Sequence, residues 1–131
     1  MTVGYRGGIM PAYTDIVVRA ALQNVQTLVQ QAFASSGFQV TWGSAQNGKA
    51  EKGSRAANFA LGALSQYYAI DFQIYPAAEG ATLRLIRSNS GAMGGLIGMA
   101  RVKKQFNTLA ETLASWFRQQ GTFVAMNEGK A

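Results

Sequence analysis

Neither cysteine nor histidine occurs in this chain, and those two absences exclude more chemistry than any motif adds. Thiolate and imidazole zinc sites, disulfide frameworks, thiol nucleophiles and Ser-His-Asp triads each lose a required residue. Charge is also sparse: Asp, Glu, Lys and Arg make up 14% of the residues against 48% apolar ones, where about 25% charged is usual. Acids are scarcer still, at 6 against 12 bases, which leaves a formal charge of +6. That balance favours anionic partners such as nucleic acid, acidic lipid head groups or phosphorylated ligands, and it also serves solubility. Long apolar runs are missing: nothing approaches the ~18 residues of a membrane-spanning helix. The opening "MTVGYRGGIMPAYTD" lacks the basic start and apolar run of a secretory signal, so a cytoplasmic location is expected. At 131 residues the chain buries roughly two thirds of its unfolded surface around one core. It reads as a single domain over 1–131 whose sparsely charged surface has a partner.

What is present orders itself into elements. Residues 1–14, with Gly4, Gly7, Gly8 and Pro11, read as an irregular lead-in. Thr14 or Asp15 then caps a helix over about 15–35, because Val18, Ala21, Leu22, Val25, Leu28, Val29, Ala32 and Phe33 recur at three-and-four spacing until Ser35, Ser36 and Gly37 end it. Phe38, Val40 and Trp42 alternate with polar residues, and Asn47-Gly48 reads as a hairpin turn leading to a second strand. Residues 55–66 suit a short helix, a strand or a loop. Tyr68, Ile70, Phe72 and Ile74 alternate along a third strand, and Leu83 and Leu85 along a fourth. Val102, Phe106, Leu109, Ala110, Leu113, Trp116 and Phe117 form a second helical stripe stopped at Gly121, and 122–131 read as a loose tail, or one whose Phe123, Val124 and Met126 dock back. The sum predicts an α+β two-layer sandwich: an antiparallel four-stranded meander covered on one face by an N-terminal and a C-terminal helix. In outline that layout resembles small helix-grip or TATA-binding-protein-like domains. No diagnostic motif accompanies the likeness, and a shared fold carries no function.

"SNSGAMGGLIGMARVKK", Ser88 to Lys104, invites a phosphate reading. It has neither the Gly-Lys-Ser/Thr of a P-loop nor the Gly-x-Gly of a dinucleotide fingerprint. A generic anion site at the helix start remains, formed by Ser88, Asn89, Ser90, Gly91 and Arg101. In a helix, Gly91, Gly94, Gly95 and Gly98 share one face and permit close backbone packing, which must offset roughly 1 kcal/mol of lost helix stability per glycine. The third reading is an apolar loop that dips into a membrane or caps a ligand.

Paired-carboxylate catalysis requires convergence that the acids do not suggest. Asp15 looks like a cap, Glu79 sits in a turn and Glu111 in mid-helix, while Asp71 pairs naturally with Arg84 across strands. The chain therefore reads as non-catalytic, with no cofactor or metal implied. Tyr67, Tyr75 and Arg84 fall on the outward sheet face, with Lys49, Lys52 and Arg55 along the neighbouring hairpin. Tyrosines among cations are what single-stranded nucleic acid needs, although strand propensity alone also places tyrosines there. Phe33, Trp42, Tyr68, Phe72, Phe106 and Trp116 read as core, or as the lining of a cavity for an apolar ligand or lipid where a helix stands off the sheet. The leading expectation is a binding or assembly module acting as a homo-oligomer.

Overall fold

The computed structural model describes residues 12–52, 68–87 and 95–130. In chain order they form β1 (Ala12–Val18), α1 (Leu22–Ser35), β2 (Gln39–Ser44), β3 (Asn47–Lys52), β4 (Tyr68–Ala77), β5 (Gly80–Ile86), α2 (Gly95–Gln119) and β6 (Phe123–Lys130). The strands make one antiparallel sheet in the order β2-β3-β4-β5-β1-β6. Both helices pack on the same face, so the molecule is an α+β two-layer sandwich.

The expected meander, β2 to β5, is present, and two further strands make the sheet six-stranded rather than four-stranded. Helix α1 begins at Leu22, not near residue 15, and Asp15 caps nothing. The β-branched run Thr14, Ile16, Val17 and Val18 instead pairs with β5 on one side and β6 on the other. In that setting Thr14, Ile16 and Val18 alternate inward and are buried. The segment read as a loose tail is β6, which adds to β1 and brings Phe123 and Met126 onto the core. Asn47-Gly48 is not the hairpin turn either: Ala45 and Gln46 turn the chain, and Gly48 lies inside β3. A Cβ on Gly48 would sit 2.6 Å from the Thr41 carbonyl oxygen and 2.8 Å from Cζ of Phe72. The glycine is there to admit the ring of Phe72. Residues 55–66 lie outside the described residues.

Between the layers, Val25, Val29, Ala32 and Phe33 of α1 and Phe106, Leu109, Ala110, Leu113 and Phe117 of α2 meet the inward rows of the sheet in one buried cluster. Phe33 stacks at 5.2 Å on Phe72, which receives the edge of Trp42 at the same distance on another side. Each such side chain contributes about 1.5–3 kcal/mol over leaving it in water. Both helices end on left-handed glycines, Gly37 (φ 85°) and Gly121 (φ 75°). There the N–H groups of Phe38 and Thr122 reach back to the carbonyls of Phe33 and Phe117.

Register places Lys52 beside Tyr68, Tyr13 beside Ile86 and Ala12 beside Lys130. One end of the sheet therefore gathers the end of β3, the start of β4, the end of β5 with Arg87, and the end of β6. Phe123 pairs with Val18 at the opposite end, so α2, which leads into β6, runs from the first end towards the second.

Candidate recognition face on the open side of the sheet

The face turned away from the helices is built by the outward members of the strand alternation, odd-numbered on β1, β3 and β4 and even-numbered on β5. One cross-strand row runs Thr41, Lys49, Asp71, Ile86, Tyr13 and Gly129, and the next runs Asn47, Gln73, Arg84, Asp15 and Asn127. Tyr75 lies in the row beyond, opposite Thr82. No described element covers this face.

Its centre is Arg84. The guanidinium donates from Nε to Oδ1 of Asp15 at 2.8 Å and from Nη2 to Oδ2 at 2.9 Å, a bidentate pair across the β1–β5 ladder. The same group lies 3.8 Å from the ring centroid of Tyr13 and 5.2 Å from that of Tyr75. The hydrogen bond that Arg84 donates to Asp15 raises the pKa of Arg84 further above its ordinary value, against a partial opposing desolvation. The Tyr75 hydroxyl donates to Oε1 of Gln73, which tethers the more exposed ring. Tyr13 lies across Gly129, where any Cβ would meet its phenol ring. The guanidinium of Arg84 thus lies over the rings of both Tyr13 and Tyr75.

Beside the stack the twisted sheet forms a shallow depression of about 650 Å³, lined by Thr41, Lys49, Glu51, Asp71, Gln73 and Ile86. In register, Lys49 faces Asp71 with Glu51 two residues away. The described open face carries two bases, Lys49 and Arg84, and three acids, Asp15, Glu51 and Asp71. On a chain of formal charge +6, its charge comes close to cancelling. Among the described residues no group of three metal-binding side chains assembles.

Of the residues expected on this face, Tyr75 and Arg84 are brought together, and Tyr67 lies outside the described residues. The expected partnership of Asp71 with Arg84 is replaced: Arg84 pairs with Asp15, and Asp71 stands opposite Lys49 and Ile86. Tyr13 and Asp15 were not anticipated, because their strand was read as lead-in and helix cap. The alternation of Tyr13, Asp15 and Val17 against Thr14, Ile16 and Val18 was the signal available. For the anion site, Ser88, Asn89, Ser90 and Gly91 lie outside the described residues, as does Gly94. Gly95, Gly98 and Arg101 fall in α2.

Elsewhere, a groove of about 480 Å³ between the end of α1 and α2 is lined by Ser35, Glu111, Trp116 and Gln119. On the core side the Tyr68 hydroxyl is buried with no hydrogen-bond partner among the described residues. Burial pushes its pKa well up, with Arg87 opposing in part. No helix among the described residues is long and apolar enough to cross a membrane. Compared with protein-family models, curated proteins and solved structures, the chain matches none.

Proposed function

We propose that the protein is a non-catalytic assembly module that pairs with a second copy of itself through the open sheet face. The observation that carries this reading is the Tyr13–Arg84–Tyr75 cluster set in a nearly charge-balanced face on a strongly basic chain. Two copies of a +6 chain repel, and they approach most easily where charge cancels locally. In a two-fold arrangement the same patch meets itself, so Lys49 of one copy can face Asp71 of the other while each Arg84–Asp15 pair stays closed. Tyrosine and arginine are the residues that anchor such contacts. Six strands at ~4.8 Å spacing and ~23 Å length give a face of roughly 600 Å² in projection, the scale of the ~800 Å² per partner of a standard interface.

Sedimentation velocity over a wide concentration range tests this. The expected result is a monomer–dimer equilibrium that Tyr75→Ala weakens about tenfold or more, the cost of losing one interface anchor. A strict monomer at every concentration refutes it. Single-stranded nucleic acid on the same face is the competing outcome. It requires salt-sensitive oligonucleotide binding that Arg84→Ala reduces, and here the guanidinium is already engaged by Asp15.

A further inference from the structure

We infer that Asn47 is a site of spontaneous modification, where the side-chain amide is converted to an acid by its own chain, and that Gly43 sets the rate. Asn47 and Gly48 form the one Asn-Gly pair in the sequence. Such a pair is prone to this reaction because glycine places no Cβ in the way of its own backbone nitrogen. The Gly48 nitrogen gives its proton to solvent hydroxide and bonds to Cγ of Asn47, and the side-chain nitrogen leaves as ammonia. The product is a five-membered imide. Water then opens it: breaking the bond to Cγ yields aspartate, and breaking the bond to the main-chain carbonyl carbon yields isoaspartate, whose backbone runs through the side chain.

The fold bears on that step in three ways. Asn47 is exposed and is the first residue of β3 after the turn at Ala45 and Gln46, so water and hydroxide reach it. β3 is laddered on both sides, with Gly48 opposite Trp42 on β2 and Phe72 on β4. Its extended backbone keeps the Gly48 nitrogen turned from the Asn47 side chain. The amide itself lies across the hairpin. Its Oδ1 is 2.6 Å from where a Cβ on Gly43 would stand, with Cγ at 3.8 Å. The space left open by Gly43 is therefore the berth that holds the amide in place.

Ring closure then waits for local opening of the β2–β3 hairpin, which lies at one edge of the sheet. The change is irreversible, so product accumulates with the age of the molecule. Asn47 stands on the open face in the row of Gln73 and Arg84. Aspartate there adds to three acids that already face two bases, which works against pairing of like copies; this consequence rests on the assembly reading above. Isoaspartate lengthens the backbone of β3 next to Gly48, where the Thr41 carbonyl and the ring of Phe72 leave no slack, and it breaks the ladder.

The test is incubation of the full chain at mildly alkaline pH, with digestion and mass spectrometry at intervals, beside a synthetic peptide of residues 44–50 and the Gly43→Ala variant. Asn47 converts before Asn24, Asn107 and Asn127, and about tenfold or more slowly than in the peptide, since the hairpin must open first. In Gly43→Ala the new methyl meets only the flexible end of the Asn47 side chain, and Gly43 has no left-handed φ. The fold and melting temperature are therefore kept, while the displaced amide regains its other χ1 wells and conversion rises about threefold. Equal rates in protein and peptide overturn the proposal. So does a Gly43→Ala rate equal to that of the wild type, or earlier conversion at another of those asparagines. Sedimentation of Asn47→Asp reads the consequence separately: weaker self-association is expected, and association as tight as the wild type overturns that part. A wild type that never associates refutes the assembly reading, and the charge consequence with it, without altering the conversion rates.

Discussion

Replacing Gly129 by alanine should destabilise the protein only while Tyr13 is present. The built Cβ falls on the Cζ, hydroxyl and Cε1 atoms of Tyr13, so the ring must swing away. It lies on the open face and is only half-buried, so it can do so without disturbing the core. The cost is then what the ring gives up: its stack on Arg84 at 3.8 Å, worth about 0.5–1 kcal/mol at an exposed site, and its contact over β6, worth a comparable amount. The single substitution should therefore cost about 1–2 kcal/mol. In a Tyr13→Ala background the same Cβ meets none of these atoms, and alanine restricts the unfolded chain more than glycine. Gly129→Ala should there be neutral or stabilising by about 0.4–1 kcal/mol. The two substitutions thus couple by about 2 kcal/mol, well outside the error of additivity for independent sites. Urea denaturation of the four proteins, with constant m-values, measures the cycle. An equal loss in both backgrounds would show that the ring does not occupy that space and would refute the reasoning.

Tyr68→Phe removes a buried hydroxyl that has no partner among the described residues and should stabilise the protein by about 1–2 kcal/mol at neutral pH. Because burial raises the native pKa of Tyr68 above its unfolded value of about 10, the wild type should lose stability as pH climbs past 10, where only the unfolded state releases that proton. Denaturation curves at rising pH should be flatter for the variant, and a steeper decline would contradict this. Gly48→Ala should cost more than about 2 kcal/mol, since its Cβ meets the Thr41 carbonyl and the ring of Phe72 and overpacking of this kind finds little slack; an unchanged urea midpoint would argue otherwise. Asp15→Ala should lower stability by about 1–2 kcal/mol, through the lost bidentate pair and the loosened stack, and the loss should shrink when Arg84 is changed to methionine as well.

The elements whose two faces differ in character were legible from the residues alone. β4 and β5 alternate sharply, with Tyr68, Ile70, Phe72 and Ile74 against Ala69, Asp71, Gln73 and Tyr75. The stripe of α2 repeats from Phe106 to Phe117, just over three turns. β1 was lost because Val18, Ala21 and Leu22 also fit helical spacing when read together with α1. Only pairing with strands far along the chain decides between the two. β6 was lost because Asn127, Glu128, Gly129 and Lys130 have little strand propensity, and the backbone ladder to β1 holds them in place. The site followed the same division. Arg84 and Tyr75 belong to one hairpin and share a face by parity, whereas the partner of Arg84 lies 69 residues away. A local pattern points to Asp71 on the adjacent strand, and long-range register supplies Asp15 instead.

The insertion of β1 between β5 and β6 sets an order of events for folding. The stretch from α1 through β5 makes mostly neighbouring contacts and can close early, at small entropic cost. β1 and β6 pair residues more than a hundred positions apart, so they must wait for long loops to close. Until then β5 is a free edge with its ladder unpaired, along Ala81, Leu83 and Leu85. That interval, rather than the finished fold, is when this chain is most exposed to aggregation.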